Sequence, residues 1–315
     1  MKSYNPKDLT TKDIYQLLSG GVAPRPIALV STISADGVPN LAPFSFFNAF
    51  SAAPPVIGFS CTRKIRDGSL KDSFHNLQAT KECTVQVVTF EMASQVNLTS
   101  IDFPPEINEF TISGLTPIPS DIVKPFRVKE SPFQMECRLM DMVSFGEEGG
   151  AGNLAICEVL KFHVNEEVLD GEAIHPGKID LVGRMGGPYY TRPKEGIFQL
   201  DRISGTQPPI GFEGLPEFLH RSNLLKASHL CELAKLSSYP MEEEIQRLAE
   251  KVVNPKTPEE HGKAYFQWAR KAFSAMDSNK EEALECLERA ILLAIMEGKP
   301  QLALTLAAWG CKHFS

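Results

Sequence analysis

Residues 24–60 read PRPIALVSTISADGVPNLAPFSFFNAFSAAPPVIGFS. Two apolar runs rich in β-branched residues, 27–33 and 56–59, bracket a segment of small, polar and proline residues. Ala35-Asp36-Gly37 supplies a turn near the start of that segment. The stretch therefore reads as strand, hairpin, strand and loop, then strand. Asn40-Leu41-Ala42-Pro43-Phe44-Ser45 sets small groups, a proline and hydroxyls where a strand ordinarily carries bulk. Such a surface suits the close approach of something flat.

Upstream, a short helical pattern over residues 12–18 ends at Gly20-Gly21, a pair suited to a helix C-terminus. Downstream, Asp67 or Ser69 is placed to cap a helix whose apolar residues Leu70, Phe74 and Leu77 follow helical spacing. A strand over 84–89 and a short helix over 93–101 follow, the latter stopped by Pro104-Pro105. Residues 108–129 mix Pro, Gly and Ser without a period and read as a long surface loop with short extended pieces.

Two longer strands, 132–145 and 153–169, flank the glycine-rich turn 146–152, as in an antiparallel pair. A loop over 183–190 precedes a last strand near 198–203. After about Pro216 strand formers give way to Leu, Ala, Glu and Lys. Residues 280–296 have a strongly amphipathic helical pattern, with Ala283, Leu284, Leu287, Ile291 and Ile295 near one face, and 258–276 and 300–314 look alike. The division is a β-rich domain over 1–205, a connector over 206–225 and a helical extension over 226–315. A tetratricopeptide-like array would need about three stacked units, so a helical cap is the better reading.

The 315-residue chain is 43% apolar, enough for a buried core, and its formal net charge of -7 argues against a nucleic-acid binder. No apolar run reaches the roughly 18 to 20 residues of a membrane span. The first residues lack the pattern of a signal peptide, and seven scattered cysteines fit a reducing compartment. The expected location is the cytoplasm, which makes the Asn97-Leu98-Thr99 triplet incidental as a glycosylation match.

A series of motifs carries a resemblance. Arg25-Pro26-Ile27-Ala28, Val30-Ser31-Thr32, Gly37, Asn40 to Ser45, Pro54-Pro55, Ile57-Gly58-Phe59-Ser60, Lys71-Asp72-Ser73 and Asn76 resemble the flavin reductase-like family, which includes flavoredoxin. The series continues through His163, Leu169-Asp170-Gly171 and Gly186-Gly187-Pro188-Tyr189-Tyr190. It covers about residues 20–205, while the final helices depart from the family pattern. The resemblance implies a mainly β fold, an FMN-binding split β-barrel of Greek-key type with short helices, followed here by an α-helical C-terminal extension. It also implies a homodimer with the site near the subunit interface.

An FMN phosphate carries roughly -1.5 to -2 charges and needs hydroxyl, cationic and backbone N–H donors in one place. Ser60, Thr62, Lys71 and Ser73 are the expected ligands, with Arg63 as a further candidate. Without the resemblance, Arg63, Lys64 and Arg66 read rather as a solvated charged loop. Asn40, Ala42, Pro43, Phe44 and Ser45 would lie along the ring, although a proline-bearing edge strand looks the same. Thr32 is within reach of ring or ribityl chain if its strand is not simply structural. His163 would tune the reduced flavin if it is not simply a satisfied core or surface residue of its strand, and Tyr189 and Tyr190 would cover the ring or a nicotinamide if they do not simply pack at a loop end. Arg25 reads as structural. Cys61 is either a reactive thiol beside cations or a small buried residue.

There is no glycine-rich dinucleotide fingerprint and no P-loop, and the seven histidines share no paired spacing with cysteines, so no metal site is expected. The resemblance implies an NAD(P)H-dependent FMN oxidoreductase that passes electrons to an unidentified acceptor, with the chemistry carried by the flavin and no catalytic side chain required. The competing readings are a flavoredoxin-like electron-transfer flavoprotein and a non-enzymatic interaction protein acting through its helical tail.

Overall fold

A computed structural model of the chain describes residues 1–200 and 208–314. It divides into two compact units, Met1–Gln199 and Leu200–Ser315.

The first unit opens with helix α1 (Thr11–Gly21), started by a capping box in which Thr10 and Asp13 exchange hydrogen bonds. Strands β1 (Ala28–Ile33), β2 (Pro39–Phe44), β3 (Phe47–Ala52) and β4 (Pro55–Ser60) come next. Helix α2 (Asp72–Thr80) leads into β5 (Glu82–Val87), followed by α3 (Ala93–Leu98) and α4 (Glu109–Ser113). The two-residue strands β6 (Pro117–Ile118) and β7 (Arg127–Val128) precede the long hairpin of β8 (Phe133–Ser144) and β9 (Asn153–Val164). Two small ribbons close the unit: β10 (Leu169–Asp170) with β11 (Ala173–Ile174), and β12 (Gly183–Arg184) with β13 (Tyr190–Thr191).

Seven of these strands form one antiparallel sheet in the order β2-β1-β5-β8-β9-β4-β3. Its two outermost strands, β2 and β3, are consecutive in the chain and separated only by Ser45 and Phe46. Two residues span little distance, so the sheet must curl until its edges nearly meet. No β2–β3 ladder closes it among the described residues, and the barrel stays split there. The interior is filled by Val30, Phe59, Cys83, Val85, Cys137, Ala155 and Cys157, all buried.

β1 is buried along nearly its whole length because it lies between β2 and β5, which explains its uninterrupted apolar and β-branched run. β3 was legible only as loop. It is an edge strand with its side chains exposed, so Asn48, Ala49, Ser51 and Ala52 need no apolar alternation.

The expected cap of α2 is corrected. Lys71 is the N-cap and makes no side-chain cap bond, whereas the Asp67 carboxylate accepts hydrogen bonds from the Ser69 N–H and hydroxyl inside the preceding turn. Leu70 therefore lies outside the helix. α4 interrupts what reads as loop, with Asn108 capping it through the Phe110 N–H. β9 ends at Val164 because Asn165 caps a turn of 3-10 helix. Residues 198–200 carry no strand, and the rest of the strand expected near 198–203 lies outside the described residues.

The second unit is helical: α5 (Glu217–His220), α6 (Ala227–Ala234), α7 (Glu242–Val253), α8 (Pro258–Gly262), α9 (Ala264–Ala275), α10 (Lys280–Met296) and α11 (Pro300–Phe314). Lys263, in extended conformation, breaks the pattern expected over 258–276 into α8 and α9. Ala283, Leu287 and Ile291 of α10 are fully buried, as their spacing requires. Among the described residues no helix is long and apolar enough to cross a membrane.

Candidate functional site

The split between β2 and β3 opens onto a groove. β2 is an edge strand, so alternate backbone groups face away from β1 without a ladder partner. The Leu41 N–H is met there by the Glu109 carboxylate at 3.0 Å. Two residues on comes Pro43, which has no N–H to leave unpaired, and its place on a free edge costs no ladder bond. The edge-strand reading of this segment therefore holds.

Three cavities share Pro43 and form one groove along the split. One, of about 170 Å³, is lined by Phe44, Ser45, Phe46, Ser60, Thr62 and Lys71, with Tyr15 of α1 as a wall. A smaller one, of about 60 Å³, takes Asn40, Ala42, Ser73, Lys64, Lys71 and Asp102. The largest, of about 260 Å³, runs on past Ser45 to Asn97 and Ser100, and to Arg184 and Tyr190 of the last ribbon. Arg184 donates to the Tyr190 hydroxyl and the Gly187 carbonyl, and its guanidinium carbon lies 4.5 Å from the Tyr190 ring centre.

Phe44 sends its ring into the barrel core, 5.4 Å from that of Phe59, which fixes the end of β2 between Pro43 and Ser45. The Ser60 N–H donates to the Phe46 carbonyl at 2.9 Å, pinning the end of β4 to the split. Gly152 leaves the Ser60 hydroxyl its room: a Cβ there would come within 2.9 Å of Oγ.

Beneath the groove lies a closed polar network. Asn40 Nδ2 donates to Ser73 Oγ at 2.9 Å and to Thr32 Oγ1 at 3.3 Å, and Asn76 Nδ2 reaches the same Thr32 hydroxyl at 3.0 Å. Thr32 is fully buried and lines no part of the groove. The hydroxyl expected to reach a ligand instead serves two amides. Glu109, also buried, closes this end; burial pushes its carboxyl up further than the Leu41 N–H pulls it down.

Three more expected site residues lie apart from the groove. Arg63 spends one guanidinium nitrogen on the Gly68 carbonyl at 2.9 Å, closing the 64–68 turn, and its buried Nε has no partner. Tyr189 is 71% exposed, and its neighbour Tyr190 takes the lining position. His163 sits on the sheet face opposite Met135 and Cys137, with Nε2 2.7 Å from Glu136 Oε1. Glu136 also accepts from the backbone N–H groups of Asp121, Ile122 and Val123. Asp121, Glu136 and His163 come within 4.8 Å of one another. Lys161 and Arg127 already balance that cluster's charge.

Cys61 is buried, and its thiol is pushed up to about 12, which leaves a small core residue rather than a nucleophile. Arg25 is structural: it donates to the carbonyls of Ser19, Val22 and Met185, tying α1 to the ribbon that carries Arg184.

Tyr15, Asn97, Ser100, Asp102, Glu109 and Arg184 were missed by sequence reasoning. They come from α1, from residues 97–109 and from the last ribbon, and no local spacing marks them. Ser60, Thr62, Lys71 and Ser45 together offer hydroxyls and a cation beside an open strand edge, a donor set that fits a phosphorylated planar ligand.

The family profile described as flavin reductase like domain matches residues 20–180. An uncharacterized protein of Halalkalibacterium halodurans is 40% identical over 205 residues, covering 64% of this chain and 97% of that protein. The crystal structure of nitrilotriacetate monooxygenase component B from Bacillus cereus aligns with a TM-score of 0.59 at 34% identity, over 64% of this chain and 98% of that one. A split-barrel structure from Shewanella frigidimarina shares the fold, with a TM-score of 0.55 at 22% identity, over 65% of this chain and 100% of that one. With half of its length matched by the profile and a split sheet of the same architecture, the chain belongs to the flavin reductase-like family and carries that family's split barrel, followed by a helical unit.

Proposed function

We propose that the protein is an FMN-binding oxidoreductase that takes electrons from NAD(P)H and delivers them to a second acceptor. The observation that carries this reading is the convergence of Ser60, Thr62 and Lys71 on one cavity that continues along Pro43 and Ser45 at the split. FMN, when bound, would supply the hydride-accepting and electron-donating chemistry.

The chain's own residues then have binding and orienting roles. Lys71 offsets the phosphate charge, and the Ser60 and Thr62 hydroxyls donate to its oxygens. Lys71 is also the N-cap of α2, whose first N–H groups have no intrahelical partners and favour an anion. Pro43 and Ser45 present a flat, small-chained edge to the ring, and the Asn40–Ser73 bond holds the two ends of the site in register. The cavity lined by Asn97, Ser100, Arg184 and Tyr190 gives the reductant or acceptor a largely polar wall with one cation. The likeness to a monooxygenase component supports delivery of electrons to a partner enzyme. On this reading the protein works as a cytoplasmic homodimer.

Titration of the full chain with FMN, followed by anaerobic NADH and NADPH, tests the reading. Saturable uptake and bleaching of the flavin absorbance by at least one nicotinamide are expected. Absence of FMN uptake overturns it. Uptake with no bleaching by either nicotinamide overturns the reductase assignment and leaves an electron-transfer flavoprotein.

A further inference from the structure

Lys71 has one ammonium and borders two cavities. On one side lie the Ser60 and Thr62 hydroxyls; on the other, Nζ stands 3.4 Å from Asp102 Oδ1. The same carboxylate oxygen lies 3.5 Å from Lys64 Nζ. Asp102 thus bridges two lysines at the end of the groove where a phosphate would be held.

Asp102 lies on a connecting segment rather than in a helix or strand. It follows α3 and precedes α4, and residues 101–104 belong to no helix or strand. Its side chain is half exposed, at 50%, against 24% for Lys64 and 32% for Lys71. Water reaches both ion pairs, so each is weak enough to be exchanged for a better partner. Asp72 and Glu109 line the same small cavity, and Asp102 adds a third carboxyl group beside the two lysines. A phosphate dianion arriving at Ser60 and Thr62 must either draw Lys71 away from Asp102 or share it against the repulsion of that carboxylate.

We infer that Asp102 is a built-in competitor for the flavin phosphate, a carboxylate that holds Lys64 and Lys71 and keeps phosphorylated flavin exchangeable rather than permanently bound. The inference rests on the reading of the groove as an FMN site and assigns Asp102 a part in specificity and release. Its effect is selective: it opposes ligands with a phosphate and is indifferent to those without one.

The test is a calorimetric titration of the full chain and of Asp102→Asn with FMN and with riboflavin. Asp102→Asn is expected to tighten FMN by about three- to tenfold, in line with the strength of two exposed ion pairs, and to leave riboflavin unchanged. In a Lys71→Ala background the same substitution should tighten FMN by less. An unchanged or weaker FMN affinity in Asp102→Asn overturns the inference while the FMN reading stands, as does equal tightening of riboflavin. If neither protein binds FMN, the FMN reading falls and this inference falls with it.

Discussion

Asn40 Nδ2 donates to Ser73 Oγ at 2.9 Å, so a single amide ties the open edge of the sheet to the first turn of α2. Both side chains are buried, and Thr32 and Asn76 complete the network. Removal of one member leaves hydrogen bonds of the others unmade in a mostly buried setting. Asn40→Ala is expected to destabilise the protein by about 1–3 kcal/mol, the cost of leaving buried polar groups unpaired, as read by urea unfolding. Thr32→Val, which keeps the side-chain shape but leaves two amides short of an acceptor, should fall in the same range. Unchanged stability in both would mean that the network relaxes freely.

Lys71→Ala separates the phosphate from the ring. A hydrogen bond to a charged partner contributes about 1.5–3 kcal/mol, so FMN affinity should fall by about ten- to a hundredfold while riboflavin affinity changes little. Calorimetric titration with both ligands checks this. Equal loss for the two would show that Lys71 acts through folding.

Gly152→Ala tests the hydroxyl side of the same cavity. The new Cβ would lie within 2.9 Å of Ser60 Oγ and 3.3 Å of the Phe145 ring, and the serine hydroxyl is the easier of the two to turn aside. FMN affinity should drop by about tenfold, comparable to the loss of one charge-assisted hydrogen bond, with a smaller change for riboflavin. Fluorescence titration reads the difference. Undiminished FMN binding would remove Ser60 from the phosphate ligands.

Glu109 gives a pH dependence with a definite sign. Burial holds its carboxyl above the usual carboxylate range, so the folded state binds its proton more tightly than the unfolded chain does. The stability this adds is present in full below the unfolded pKa and is lost as pH rises through the folded pKa. Glu109→Gln keeps an acceptor for the Leu41 N–H and carries no charge to bury. It should raise the melting temperature at pH 7 to 8, with the gain shrinking toward pH 4. A gain that is constant across that range would assign the effect to packing instead.

Much of this protein was legible because its motifs are local. The buried run of β1, the turn at Asp36-Gly37, the hairpin of β8 and β9 and the period of α10 each arise from neighbours in the chain, where propensity and burial act together. The segment from Asn40 to Ser45 announced itself by its small residues, and Ser60, Thr62 and Lys71 follow closely enough in sequence to be grouped with it.

What sequence could not supply is which groups share space. Thr32 and Ser45 are both hydroxyl residues near one hairpin. Only the sheet order shows that Thr32 faces a buried network while Ser45 stands on the two-residue link across the split. His163 lies in the expected strand, yet its register on β8 sets it beside Glu136, away from the groove. Glu109 reaches Leu41 across 68 residues, and Arg184 lies later still. Sequence determined β1, β2 and β4 in residues 24–73, because those depend on adjacent residues. The curl of the sheet decided the site, because closing a seven-stranded sheet to within two residues of itself is a property of all its strands at once.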